Sequence, residues 1–250
     1  MQKFDPKELK KLYIPPPDSH KGQNGRLMII GGSHLFHAAS IWALEVSSRI
    51  VDLVHYSSTP ENNTIVMEVK KQFRDGIVIP REQIEEYIKE DDCVLIGPGM
   101  VRSEASQATG DRRQGTSLMD IEEIQDEGEQ TAALTNYLLA KYPRKQWVID
   151  AGALQMMDIR LIPHNGILTP HKGEFDLLLK KNREFGIVNY GENDLIEVKV
   201  KEFSKKLHCI VLLKGEKDIA CNVDGECRAI EGGNPGMTKG GTGDVLAGLV

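Results

Sequence analysis

Arg26-Leu27-Met28-Ile29-Ile30-Gly31-Gly32-Ser33 is the stretch that decides the fold. A short, largely apolar run has the length of a buried strand, and two glycines and a serine stop it. A helical pattern follows over Ala38–Ile50. The unit then recurs. Further strands are expected at Leu53–Tyr56, Ile65–Val69, Cys93–Ile96, Trp147–Ile149, Gly166–Leu168 and Cys209–Leu213. Helices fit Arg81–Lys89, Thr131–Tyr142, Gly173–Lys181 and Asp194–Leu207. Strands alternating with helices predict an α/β fold whose mostly parallel sheet is covered on both faces. No internal repeat or composition break divides the chain, so residues 1–250 read as one domain.

Ligands in such sheets bind beyond the carboxyl ends of the strands. Five apolar runs end in informative residues: Gly31-Gly32-Ser33, Gly97-Pro98-Gly99, Asp150-Ala151-Gly152, Thr169-Pro170-His171 and Lys214-Gly215. Each alone is a turn or a cap. Five on one edge predict a ligand site.

A sixth segment, Gly232-Gly233-Asn234-Pro235-Gly236-Met237-Thr238-Lys239-Gly240-Gly241-Thr242-Gly243-Asp244, runs into the apolar stretch Val245–Val250. Glycines let backbone N–H groups approach a ligand, and a helix N-terminus adds partial positive charge. Asp244 would repel a phosphate, so the role that fits it there is to take a proton from a hydroxyl. A glycine turn with Asp244 as a helix cap is the other reading. Neither common nucleotide fingerprint is present: no Lys-Ser/Thr pair follows Gly236 and Gly241, and no Gly-x-Gly-x-x-Gly occurs.

A net charge of −6 argues against general nucleic-acid binding. No apolar run has the length of a membrane span, and Met1–Pro6 does not read as a signal peptide, so a cytoplasmic protein is expected. Cys93 and Cys209 sit in apolar runs as buried thiols. Cys221 and Cys227 flank the hairpin signal Asp224-Gly225, but a reducing cytoplasm disfavours a disulfide between them. The polar segment 102–115 reads as a mobile loop, either a lid or a solvated insertion.

These motifs, in order, resemble the ADP/ATP-dependent NAD(P)H-hydrate dehydratases of the ribokinase-like superfamily. The matching residues are Lys21-Gly22-x-x-Gly25, Gly31-Gly32-Ser33, Ile96-Gly97-Pro98-Gly99, Val148-Ile149-Asp150-Ala151, Leu168-Thr169-Pro170-His171-x-Gly173-Glu174 and Asn234-Pro235-Gly236-Met237 leading to Gly241-Thr242-Gly243-Asp244. The resemblance implies a three-layer α/β/α sandwich and dehydration of hydrated NADH or NADPH, with ADP or ATP as phosphoryl donor and Mg²⁺ as metal. It implies Asp244 as base, with Gly241, Thr242 and Gly243 around the phosphoryl group. Ala38, Gly99, His171 and Asp244 would line the substrate, and Lys214, Gly215, Glu216, Lys217, Asp218 and Gly243 the nucleotide. Glu174 falls where the superfamily orders Mg²⁺; a first-turn glutamate favoured by the helix dipole is its other reading. His171 likewise reads as a substrate contact or as the cap of the next helix.

The chain departs from the family at His37, where glycine is usual, at Ser47–Asp52, and at Gly152, where Asp-Ala-Asp is common. The family also continues with helices beyond the position of Val250, commonly assembles as homotetramers, and leaves epimerisation of the hydrate here to a separate chain. Two alternatives stand beside the dehydratase: a small-molecule kinase acting on a vitamin precursor or sugar, and a nucleotide-binding sensor without catalysis.

Overall fold

The computed structural model describes residues 1–103, 117–186, 191 and 194–250. The 102–115 segment lies outside these residues except for Arg102 and Ser103.

Ten strands form a single sheet: β1 (Gln2–Lys3), β2 (Arg26–Ile30), β3 (Leu53–Ser57), β4 (Ile77–Val78), β5 (Cys93–Ile96), β6 (Gln146–Ile149), β7 (Ile167–Leu168), β8 (Ile210–Leu213), β9 (Asp218–Cys221) and β10 (Cys227–Ile230). Their spatial order is β1-β10-β9-β8-β7-β6-β5-β2-β3-β4. From β8 to β4 all neighbours are parallel, and only β9 runs against the rest. The expected mostly parallel α/β architecture is therefore present.

The described helices are α1 (Ala38–Ser47), α2 (Pro60–Val69), α3 (Ile84–Glu90), α4 (Leu118–Glu122), α5 (Glu127–Lys141), α6 (Ala151–Met156), α7 (Lys172–Phe185), α8 (Ile196–Leu207) and α9 (Thr242–Leu249). Strand alternation sorts them into two layers. Met28, Ile30, Val94, Ile96, Trp147 and Ile149 face one core, with Ile84 and Ile88 of α3, Leu138 of α5, Phe175 of α7 and Phe203 of α8. Leu27, Ile29, Leu95 and Val148 face the other, with Ala43 and Leu44 of α1, Val66 of α2 and Ala247 of α9. Both faces are covered by buried apolar side chains, as a parallel sheet requires.

The structure corrects the expected strand at Ile65–Val69, which forms the second half of α2. Thr59 starts that helix by accepting the Asn62 amide at 3.2 Å, and Pro60 occupies its first turn. Asn62 and Val66 are buried and Val69 is partly buried, a spacing of four and three residues that belongs to a helix. The β-branched Ile65-Val66 pair was the misleading signal.

The disulfide expectation is corrected too. Cys221 and Cys227 are opposite each other in the antiparallel β9–β10 register, with Cα atoms 4.1 Å apart, and the structure joins them. Chain geometry overrides the compartment argument. Asp52, a departure from the family pattern, serves the structure. Its Oδ2 accepts the Gly22 amide at 2.8 Å and the Asn24 amide at 3.1 Å. The Asn24 amide is the main cause that holds this carboxyl below its usual range.

A cross-link spanning six residues constrains a short loop of the unfolded chain. Replacing both Cys221 and Cys227 with serine is expected to lower the unfolding free energy by about 2 kcal/mol. Urea denaturation with and without reductant checks this: the wild type should respond to reduction and the variant should not.

Candidate active site

Hydrogen bonds carry the ladder past the strand ends. Gly97 N–H donates to Ile30 O at 3.0 Å, Asp150 N–H to Ile96 O at 3.0 Å, and Lys214 N–H to Pro170 O at 2.8 Å. His171 and Lys214 form one further parallel bridge beyond β7 and β8. The sequence-predicted turns therefore meet along one carboxyl edge.

Close backbone approach sets the identity of several glycines. A Cβ on Gly97, whose φ is +123°, would lie 1.8 Å from Asp150 O. One on Gly152 would lie 2.1 Å from Met100 O. Gly152 is thus explained by packing of the β5 and β6 turns. A Cβ on Gly99 would meet Phe36 O at 2.7 Å and Ala39 Cβ at 3.2 Å, so Gly99 sits against the start of α1 beside exposed Ala38.

The charged centre follows from β6, β7 and β8. Asp150 is 2 % exposed and Glu174 5 % exposed. Lys214 Nζ donates to Asp150 Oδ1 at 3.0 Å. The same Nζ stands 3.4 Å from the position a Cβ would take on Gly243. Lys214 therefore links the β6 end to the glycine loop. Asp244 occupies the third position of α9, where the helix dipole favours a carboxylate. Burial, followed by the charge of Asp150, outweighs that effect and raises the Asp244 carboxyl above its ordinary range; Lys214 acts in the opposite sense. Glu174 is raised as well, first by burial, with Asp150 adding to it and the His171 amide and Lys214 opposing. Three carboxyl groups share the Lys214 ammonium.

His171 and Glu174 form a reciprocal cap of α7. His171 Nδ1 accepts the Gly173 amide at 3.0 Å and the Glu174 amide at 3.3 Å, while Glu174 Oε2 accepts the His171 amide at 2.9 Å. The cap reading of His171 is realised at Nδ1, and its side chain remains 59 % exposed. Sequence reasoning missed the support behind Glu174. Gln155 Nε2 donates to Glu174 Oε1 at 3.0 Å, and Arg102 Nη1 donates to Gln155 Oε1 at 2.9 Å. No motif marks Gln155 or Arg102, because the contacts span 19 and 53 residues.

The other predicted positions spread outward. Gly215 N–H donates to Asp218 Oδ1 at 2.8 Å across the β8–β9 turn, which also carries exposed Glu216 and Lys217. Lys217 Nζ lies 3.6 Å from Glu231 Oε1. Thr242 Oγ1 donates back to Met237 O at 2.7 Å and Lys239 O at 3.0 Å, bracing the loop. Gly241, with φ of +99°, packs on the Trp42 ring of α1: a Cβ there would be 2.4 Å from two ring carbons.

Among the described residues no group of three or more His, Cys, Asp and Glu side chains is arranged to hold a metal ion. Both Glu174 oxygens already accept hydrogen bonds. Such a carboxylate fits Mg²⁺ through its waters, since Mg²⁺ keeps several waters and takes few protein ligands. The excess of carboxyl groups over ammonium groups favours a cation there.

The NAD(P)H-hydrate dehydratase family model matches residues 27–250. The ADP-dependent (S)-NAD(P)H-hydrate dehydratase of Nitrosopumilus maritimus is 32% identical over 249 residues, covering 97% of this chain and 77% of that protein. The bifunctional NAD(P)H-hydrate repair enzyme of Methanocaldococcus jannaschii is 32% identical over 253 residues, 97% of this chain and 42% of that protein. The chain thus spans less than half the length of several relatives. In fold it matches a ribokinase-like superfamily protein of Enterococcus faecalis, with a TM-score of 0.74, 22% identity, and coverage of 99% of this chain and 78% of that one. It also matches the ADP/ATP-dependent NAD(P)H-hydrate dehydratase of Bacillus subtilis co-crystallized with ATP/Mg²⁺, with a TM-score of 0.66, 19% identity, and coverage of 99% and 79%. The layered sheet is the ribokinase-like fold, and the chain belongs to the NAD(P)H-hydrate dehydratase family.

Proposed function

We propose that this chain repairs hydrated NADH and NADPH by nucleotide-dependent dehydration. The observation that carries the reading is Asp244 at the start of α9, next to Gly243, which Lys214 reaches while it holds Asp150 at the carboxyl edge of the sheet. Asp244 takes the proton of the ring hydroxyl as its oxygen attacks the terminal phosphorus of ADP or ATP. The bond from that phosphorus to the nucleotide breaks, leaving a phosphate ester on the ring. Hydroxide leaves poorly and phosphate well. The ring nitrogen lone pair expels the phosphate, and loss of a neighbouring ring proton restores the double bond.

In this reading the amides around Gly241, Thr242 and Gly243 stabilise the phosphoryl group in transfer. Lys214, held by Asp150 and reaching Gly243, supplies positive charge to the phosphates. Gly215, Glu216, Lys217 and Asp218 border the nucleotide along the β8–β9 turn. Ala38 and Gly99 adjoin at the start of α1 and line the hydrate, with His171 beyond β7. Glu174 would hold Mg²⁺, and that ion would supply charge to neutralise the phosphates.

The relative from Nitrosopumilus maritimus carries an (S) designation, and an enzyme confined to one epimer depends on a separate epimerase for the other. A homo-oligomer is part of this reading, supported by exposed Leu9, Leu12, Tyr13 and Ile14. So is a cytoplasmic setting, where the dinucleotide pools are used. No described helix is long and apolar enough to cross a membrane.

Incubation with hydrated NADH, ADP or ATP, and Mg²⁺ should restore the dihydronicotinamide absorbance. Accumulation of a stable phosphorylated alcohol would instead indicate a kinase, and nucleotide binding without turnover a sensor. Asp244→Asn is expected to lower turnover by ~10²–10⁴-fold while nucleotide binding persists. Because Lys214 opposes the upward shift at Asp244, Lys214→Met should move the acid limb of the pH–rate profile to higher pH. The same shift bears on stability. A raised carboxyl is fully accommodated below its unfolded value and costs stability as pH climbs through its folded value. Asp244→Asn should therefore raise the urea midpoint at neutral pH, with the gain fading in acid. An unchanged midpoint at both pH values would contradict the raised carboxyl.

A further inference from the structure

Beneath the Gly31-Gly32 turn lies a buried polar cluster that the reaction above does not use. Ser40 of α1, Tyr56 of β3, and Ser58 and Asn62 around the start of α2 are each fully buried. Asn62 Nδ2 donates to Tyr56 OH at 2.7 Å and to Ser58 Oγ at 2.9 Å. Gly32 makes room for it, since a Cβ there would lie 2.0 Å from Asn62 Nδ2. The outer member is His37, half-buried at the start of α1, whose Nδ1 is 2.9 Å from Asn62 Oδ1.

The cluster sets which ring nitrogen of His37 carries the proton. The Ser40 and Tyr56 hydroxyls lie 2.7 Å apart and close the inner side of the cluster. The Tyr56 and Ser58 oxygens both accept from the Asn62 amide nitrogen. That fixes the amide with Oδ1 towards His37, and an amide oxygen only accepts. Nδ1 must therefore carry an N–H, and in that tautomer Nε2 keeps the lone pair. No described residue donates to Nε2. His37 lies in the chain between Phe36, whose carbonyl oxygen would be 2.7 Å from a Cβ on Gly99, and Ala38 at the start of α1.

We infer that His37 is a specificity residue of the acceptor site, offering Nε2 as a hydrogen-bond acceptor to the carboxamide –NH₂ of the hydrated nicotinamide. The inference rests on the dehydratase reading. In that ring the hydroxyl is engaged by Asp244 and the nitrogen bears no hydrogen. The carboxamide –NH₂ is the ring system's remaining donor. A histidine with a fixed tautomer suits it, because the buried cluster has already oriented the imidazole before the substrate arrives. A donor-lacking analogue would leave Nε2 desolvated and unpaired.

The test compares hydrated NADH with the hydrate of reduced 3-acetylpyridine adenine dinucleotide, which keeps the carbonyl and lacks the –NH₂. The wild type should favour the carboxamide by roughly 3–10-fold in kcat/KM, the range of one net hydrogen bond. His37→Leu should erase that preference, chiefly through KM, while His37→Gln, which retains an acceptor oxygen, should recover part of it. An unchanged preference in His37→Leu overturns the inference and leaves the dehydratase reading standing. No turnover of hydrated NADH by the wild type sinks both. Long-range ¹H–¹⁵N correlation on the wild type provides a readout independent of turnover and of the variants' folding: a protonated Nδ1 supports the inference, and a protonated Nε2 overturns it.

Discussion

Lys214 and Asp150 meet at 3.0 Å in a largely buried position, and the rest of the site is arranged around that ion pair. A buried carboxylate without a partner is strongly unfavourable, so each charge requires the other. Their meeting depends on two strand ends held in register: the Asp150 amide bonds β5, and the Lys214 amide bonds the β7 turn. Removing either partner would strand the other. Losing Lys214 would also release the glycine loop from the cation that reaches it and leave two raised carboxyls, Glu174 and Asp244, without their common counter-charge.

Much of this arrangement is legible in the sequence because the physics is local. Apolar runs ending in Gly31-Gly32, Gly97-Pro98-Gly99, Asp150 and Lys214-Gly215 announce both the strands and the edge on which they stop. The Thr-Pro-His-x-Gly-Glu run announces the cap of α7, since both halves of that cap lie three residues apart. Legibility ends where partners are remote. Gln155 supports Glu174 from another helix, and Arg102 supports Gln155 from the β5 turn; neither carries a local mark. α2 was hidden for a different reason. Its β-branched pair imitates a strand, while its start signal, Thr59-Pro60, is short. For Cys221 and Cys227 the local turn signal was sound, and the compartment argument set against it did not prevail over register.

The buried polar residues obey one rule on the two sides of the site. Near Glu174 and near Asn62, a side chain that must be aimed is surrounded by partners that leave it no other orientation. The first aims a carboxylate, the second an imidazole. Such clusters contribute little net stability compared with the dry cores formed around Trp147 and Leu44, but they convert a flexible side chain into one fixed direction.

The packing of α9 on α1 has a consequence of its own. Gly241 lies on the Trp42 ring, Gly248 on Ala43 and Val46, and Ser47 Oγ donates to Gly248 O at 2.8 Å. The start of α9 thus lies against the middle of α1, and its last turn against the second half of α1. Ala38 starts one helix and Asp244 the other. The distance between the residue that would meet the acceptor and the one that would deprotonate it is therefore a property of a helix–helix seam, set by glycines several residues away from either. The seam acts as a ruler, and the two ends it measures belong to chain segments that lie near opposite ends of the sequence.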